Sequence, residues 1–375
     1  MEKILFRKLL LDYLSFFLAT IISTSIVIWV FQAVNFLDII IEDGRDYLVY
    51  INYSLLNFPK ILSKIFPFTL FFSIFYITTK YELQNELIIF WNHGIHKMEV
   101  VNFISKISIF LTLIQLCFTC ITVPSLQDTA RSLLRESTMN FYGNFVKPKK
   151  FNDTIKNITI YSEKKNEEGM MINLYLKKKI NNDEFQVTFA KKGKFQLIGN
   201  TPILVLYDGA TITSKKQKLT NISFSKSDFS LLNTETNTTT YKKTQELSSA
   251  KLIKCLNNFY KFDKNSFEQK SIKIENCNIL NLNNIFKEFY KRFIIPFYIP
   301  LLSVLPFLLI IFSKENQYYQ KMRLITFVFG LIILIGSETT VKFITNDLVF
   351  NSLLSLIPIF FFILIYFSLK LKFKL

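Results

Sequence analysis

YLSFFLATIISTSIVIWVFQAVNFL, Tyr13 to Leu37, runs 25 residues without an Asp, Glu, Lys or Arg. A helix of that length, at ~1.5 Å per residue, crosses the ~30 Å hydrocarbon layer of a bilayer. The run is too long for the apolar core of a cleaved signal peptide and lacks a small-residue cleavage site. It predicts a first membrane-spanning helix. Working outward, five more apolar runs follow: Ile65–Thr79, Ile107–Gln127, Phe293–Ser313, Leu324 to about Val341, and Leu348–Leu369. The shortest, Ile65–Thr79, reaches span length if Lys60 and Lys64 snorkel to the interface. Half of the 375 residues are apolar and 41 are Phe, as expected of a chain solvated largely by lipid. The fold class read here is an α-helical membrane protein of six spans, three at each end, with a polar insert between them. The boundaries are 1–127 for spans one to three, 128–291 for the insert and 292–375 for spans four to six.

The short flanks orient the chain. Lys3, Arg7 and Lys8 precede span one, Lys80 and Lys97 lie between spans two and three, and Lys314, Lys321 and Arg323 separate spans four and five. Lys370, Lys372 and Lys374 close the chain. All fall on one side if the spans alternate, and that side is cytoplasmic. The Asp38–Pro59 loop sets Arg45 against Asp38, Glu42, Asp43 and Asp46. Both termini are therefore expected in the cytoplasm and the insert on the far side of an inner membrane. The formal net charge of +17 comes from scattered Lys beside abundant Asn, Ile and Phe, the signature of an AT-rich coding sequence. With no basic helix or aromatic–basic platform outside the spans, it does not point to nucleic acid.

Within the insert, short β-branched and aromatic runs predict strands at Asn157–Glu163, Met170–Leu176, Glu184–Ala190, Lys194–Ile198 and Ile203–Tyr207. Glu168-Gly169, Asn181-Asn182-Asp183, Lys192-Gly193 and Asp208-Gly209 read as the turns between them. Alternation at Ile158/Ile160 and at Phe185/Val187/Phe189 implies one buried face, as in a sandwich or a jelly-roll-like half barrel. Thr234 to Asn284 reads as loop with short helices. Cys255 and Cys277 lie where a disulfide is allowed, though nothing local requires one. Cys117 and Cys120, inside a span, read as packing residues.

Chemistry-bearing motifs are sparse. There is no GxxxxGK[ST], GxGxxG or GxSxG, and the chain has nine Gly in all, so any ATP-driven work needs a partner ATPase. The informative segment is KYELQNELIIFWNHGIHKME, Lys80–Glu99. Leu83, Leu87, Phe90 and Trp91 form an apolar stripe at helical spacing, Glu82 and Glu86 sit one turn apart beside it, and Gly94 is placed to end the helix. Two readings stand open: docking into a groove of a basic cytoplasmic partner, or resting at the membrane interface. His93 and His96 lack a third ligand, so no metal is expected. Glu338 and Lys342, four apart in span five, read either as a self-neutralising pair or as leaving Lys342, with Lys60 and Lys64, to meet an anionic headgroup. Pro296, Pro300 and Pro306 loosen span four.

The layout resembles the lipopolysaccharide-export permease family of LptF/LptG type. The resemblance covers the whole chain and rests on element order together with Asn85-Glu86-Leu87 through Gly94, V-K-P-K-K-F at Val146–Phe151, I-T-I-Y-S-E at Ile158–Glu163 and L-Y-D-G at Leu206–Gly209. It is closer to the LptF branch. It implies a non-ATPase subunit without cofactor, paired with a paralogous permease and driven by a cytoplasmic ABC ATPase dimer through the 80–99 helix, with Glu86 the acidic contact. It further implies lipopolysaccharide as cargo, and a periplasmic jelly-roll bridge and a single-span LptC-type protein as partners. That branch's relative, LptG, associates Lys near the outer end of span one with substrate; here that stretch holds Asp38, Glu42 and Asp43 with only Arg45, so that role is not carried over, and the headgroup candidates are Lys60, Lys64, Lys342 and Arg45. The competing reading is a membrane-anchored receptor whose β-domain binds a ligand, but tails of about ten and six residues leave no room for an output domain. A lipid-modifying enzyme has only Glu338 and Lys342 to work with.

Overall fold

The computed structural model describes residues 2–37, 47–145, 148–155, 158–166, 169–179, 184–198, 201–215, 218–230, 242–261, 276–311, 314–315 and 317–374. Arg45, its acidic neighbours Asp38, Glu42, Asp43 and Asp46, and the Asn181-Asn182-Asp183 turn lie outside them. The chain forms two compact units, a helical one (Met1–Phe31, Asn57–Asp128, Tyr241–Leu375) and a second made of Gln32–Leu56 and Thr129–Thr240. The described residues of 242–291 thus belong with the spans.

Six helical segments are long and apolar enough to cross a membrane. The helices are α1 (Glu2–Asn35), α2 (Tyr47–Leu83), the short α3 (Glu86–Asn92), and α4 (Lys97–Cys117), which runs through a π turn at Phe118–Thr122 into α5 (Val123–Phe145). After the sheet come α6 (Ser249–Lys261), α7 (Leu282–Phe293), α8 (Tyr298–Val304), α9 (Tyr319–Thr340) and α10 (Leu348–Lys374). Each apolar run read from the sequence overlaps one of the six spans, the first running two residues past the end of α1. Span two is far longer than its uncharged core, because Lys60 and Lys64 are simply part of α2.

The fourth span is the centre of the helical unit: 72% of its most apolar window is buried, against 17% for the first and the last. It is also the least regular. It alternates α7, a 3₁₀ turn at Ile295–Phe297, α8 and a 3₁₀ stretch at Leu305–Ile311. Pro296 and Pro306 stand in the 3₁₀ pieces, where a missing N–H and the ring's clash with the preceding turn stop an α-helix from continuing. Hydrocarbon offers no replacement hydrogen bonds, so such a segment belongs inside the bundle. Side-chain hydrogen bonds tie the spans together: Tyr13 with Thr78 (2.8 Å), Tyr366 to Asn102 Oδ1 (2.8 Å), and Gln115 Nε2 to the Ser63 carbonyl (2.7 Å). Tyr81 also donates to Asp12. Gly330 of α9 lies against the Phe71 ring so closely that a Cβ would overlap it.

Between α5 and α6 the insert is a β-sheet. β1 (Asn152–Ile155), β2 (Ile158–Lys165), β3 (Met171–Lys179), β4 (Phe185–Ile198), β5 (Thr201–Lys215) and β6 (Lys218–Ser230) make one antiparallel sheet. Each strand pairs with the next in sequence, so the likeness to a jelly roll lies in an open sheet with one buried face, not in Greek-key crossings. Lys192-Gly193 and Asp208-Gly209 are not turns. β4 and β5 run straight through them, Ala190 pairing with Gly209 and Lys192 with Tyr207.

These positions mislead because alternation breaks there, along one row of the sheet. Glu163 and Asn173 are passed over in the pairing of β2 with β3, and Asn173 and Lys191 in that of β3 with β4. Lys191 and Asp208, then Asp208 and Ser225, are passed over in the next two pairs. The buried face switches parity at that row: Ala190 is followed inward by Gly193, Leu174 preceded by Met171, and Leu206 followed by Gly209. Asn173 and Asp208 both adopt φ 51°, a left-handed value open to short polar side chains. The result is a crease across five strands. On its inner side Gly193 packs against Leu174, and Gly209 against the Phe189 carbonyl and the Phe224 ring, where neither has space for a Cβ. Ile160, Leu174, Leu176, Leu204 and Leu206 form the core of this face.

Candidate functional site

The Lys80–Glu99 segment is two pieces rather than the single helix expected. α2 ends at Leu83, Gln84 and Asn85 turn the chain with Asn85 at φ 61°, and α3 starts at Glu86. α3 closes in a Schellman motif. Gly94, at φ 78°, donates to the Trp91 carbonyl (3.0 Å) and Ile95 to that of Phe90 (3.1 Å), with Ile95 and Phe90 both buried in the same core.

The turn re-aims the apolar stripe. Leu87 and Phe90 are each 3% exposed and pack into the bundle, and Trp91 is half-buried with Lys97 Nζ over its ring at 5.9 Å. The apolar surface left outside is Leu83, Ile88 and Ile89, each nearly half exposed. Glu82 remains on α2 and is half-buried, while Glu86 lies 3.5 Å from Lys8. The open face of the segment is therefore Leu83, Ile88 and Ile89 with Glu86 at its edge; the sequence pattern missed the two Ile because Leu87 and Phe90 share the same helical spacing. His93 and His96 serve the backbone: His93 Nδ1 bonds the Ile89 carbonyl at 2.8 Å, and His96 Nδ1 accepts from Met98 N at 3.5 Å.

At the other end of the helical unit, the described headgroup candidates Lys60, Lys64 and Lys342 are exposed. Lys60 donates to Gln245 Oε1 at 2.9 Å, Lys64 points outward from α2, and Lys342 lies in a 3₁₀ turn at Val341–Phe343 that ends span five. Glu338 and Lys342 are both exposed, and no ion pair joins them among the described residues.

Arg292 organises this end and gave no signal in the sequence. Only 3% exposed, it donates to the carbonyls of Leu247 (2.7 Å) and Gln245 (2.9 Å), to Ser249 Oγ (3.1 Å) and to Glu288 Oε1 (3.0 Å). Its own carbonyl accepts from Thr119 (2.9 Å) in the π turn of span three, where Ser249 Oγ reaches the Cys120 carbonyl at 2.6 Å. Here the π turn, which leaves carbonyls outside the regular ladder, is the seat of these contacts. Cys255 and Cys277 form a disulfide with Cα atoms 6.1 Å apart, fastening α6 to the chain that enters α7. Between α6, α7 and the start of α10 lies a cavity of about 370 Å³, its walls including Ile253, Leu256, Phe286 and Phe289, with no charged residue among those lining it.

A bundle of six spans, a central span broken by proline and a β-sheet inserted after the third describe a polytopic membrane protein with an inserted β-domain. The family model for the lipopolysaccharide export system permease LptF/LptG matches residues 7–372, nearly the whole length. The chain belongs to that family. It is also similar to an uncharacterized protein of Rickettsia prowazekii (strain Madrid E), 23% identical over 207 residues, which are 55% of this chain and 57% of that one.

Proposed function

We propose that this chain is a permease subunit of an ABC transporter that draws lipopolysaccharide from the inner membrane and passes it through the periplasmic β-domain to a bridge toward the outer membrane. The observation that carries the reading is the family match across residues 7–372. The arrangement is supported by a capped, partly exposed helix at one end of the bundle and a lysine-bearing surface at the other. A cytoplasmic ATPase dimer would seat Leu83, Ile88 and Ile89 in a groove and meet Glu86 with a basic group. Closure of that dimer would push α3 and alter the gap between spans one and five. A paralogous permease completes the pair, and a single-span LptC-type protein and a jelly-roll bridge receive the cargo. Lys60, Lys64, Lys342 and Arg45 would face its anionic headgroup. The sheet's apolar face would shelter acyl chains, whose exposure to water costs about 0.8 kcal/mol per methylene.

The test is affinity purification in mild detergent with identification of co-purifying chains. An ATPase and a second permease are expected with the native chain, and the Glu86→Arg variant should lose the ATPase. Glu86→Arg also sets a like charge beside Lys8, so Lys8→Gln, which removes only that ion pair, should retain it. Unchanged co-purification and ATP turnover with Glu86→Arg would remove the docking role.

A further inference from the structure

The chain leading into span four builds a polar cavity of about 760 Å³ on the same end as Lys60. Among the described residues its lining includes Lys243, Lys287 and Lys291 and a single carboxylate, Glu288. That carboxylate is bonded to the buried guanidinium of Arg292, so its charge is already matched. Two of the lining amides are also engaged. Asn281 Nδ2 donates to Thr244 Oγ1 (3.1 Å) and to the Asn276 carbonyl (3.0 Å), and Asn284 Nδ2 donates to Asn281 Oδ1 (2.7 Å).

The three ammonium groups are different. None has an ion pair among the described residues, and Lys287 and Lys291 stand one turn apart on α7, where like charges repel. Lys60, bonded to Gln245 of the lining, adds a fourth positive charge at the rim. The walls are held by the Arg292 bonds to residues 245–249. Among the described residues, a concave space with spare ammonium donors and no spare carboxylate is complementary to a compact polyanion.

We infer that this cavity binds a compact phosphate group, carried either on a lipid headgroup or by a soluble compound. The site goes beyond the permease reading and does not depend on it. Lys287 and Lys291 grip the phosphate oxygens from α7, and Lys243 approaches from the facing segment.

The test uses the full chain in nanodiscs. In one arm the discs are phosphatidylcholine doped with phosphatidic acid, and lipid retained by the protein is measured by native mass spectrometry. In the other, pyrophosphate is titrated into phosphatidylcholine discs by calorimetry. Binding of at least one probe is expected, weakened at least about tenfold in Lys287→Gln/Lys291→Gln, as loss of two charge-assisted contacts implies. Lys287→Arg/Lys291→Arg should keep it. Lys251→Gln/Lys254→Gln, which removes the same charge from exposed positions of α6, should behave as the native chain. Retention of phosphatidic acid alone assigns the phosphate to a lipid, and pyrophosphate binding alone assigns it to a soluble ligand. If neither probe binds, or if the α6 variant loses as much as the α7 variant, the inference is overturned.

Discussion

Two residues of the helical unit carry more than their type announces. Gly94 holds φ 78° at the end of α3, so Gly94→Val forces a β-branched side chain into the left-handed region, at about 1–2 kcal/mol. The expected result is faster amide exchange over residues 86–95 with little change in the melting temperature, because the spans do not depend on that cap. Arg292→Met is expected to act globally. It strands Glu288 and the carbonyls of Leu247 and Gln245, the first of them buried, and losses of about 3–5 kcal/mol are typical when one member of a buried charged network is removed. Thermal unfolding in detergent reads the difference between the two. Gly94 was legible in the sequence because a glycine after an apolar helical run has few other uses. Arg292 was not, since its acceptors at Leu247 and Gln245 lie 45 and 47 positions away and it reads locally as one more basic flank.

Among the elements, the helices were legible to within their ends because charge-free length is a strong signal on its own. What escaped was packing. Leu87 and Phe90 carry the same spacing whether they face a partner or the bundle, and only the turn at Asn85 decides. Span four was placed from Phe293 onward because α7 alternates Phe and Tyr with Lys and Glu, a pattern that reads as a surface helix until Arg292 and the disulfide draw it into the bundle. Two predictions belong here. Gly330→Val drives a side chain into Phe71 and should cost about 1–3 kcal/mol of stability, partly restored by Phe71→Leu in the double variant. Reduction of Cys255–Cys277 frees a loop with a sequence separation of 22, which chain entropy values at roughly 3 kcal/mol. A lower melting temperature in reductant, absent from a Cys255→Ser/Cys277→Ser variant, is the expected outcome.

For the whole molecule the decisive quantity is which end of the bundle faces which compartment. In a background with all four native cysteines replaced by Ser, a membrane-impermeant maleimide applied from outside should reach a cysteine placed at Lys251, an exposed position of α6, and should never reach one placed at Gln84. The opposite pattern would turn the molecule over and remove the export reading. The β unit poses another kind of constraint. At the crease, each of five strands holds one residue more than simple alternation allows, and they hold it in the same row. Strand lengths are therefore not independent. A codon lost from one strand alone would turn every inward side chain beyond the row to solvent, whereas loss from all five together would merely flatten the sheet. Related chains should accordingly differ here by substitution, with gaps confined to strand ends or arriving as a matched set.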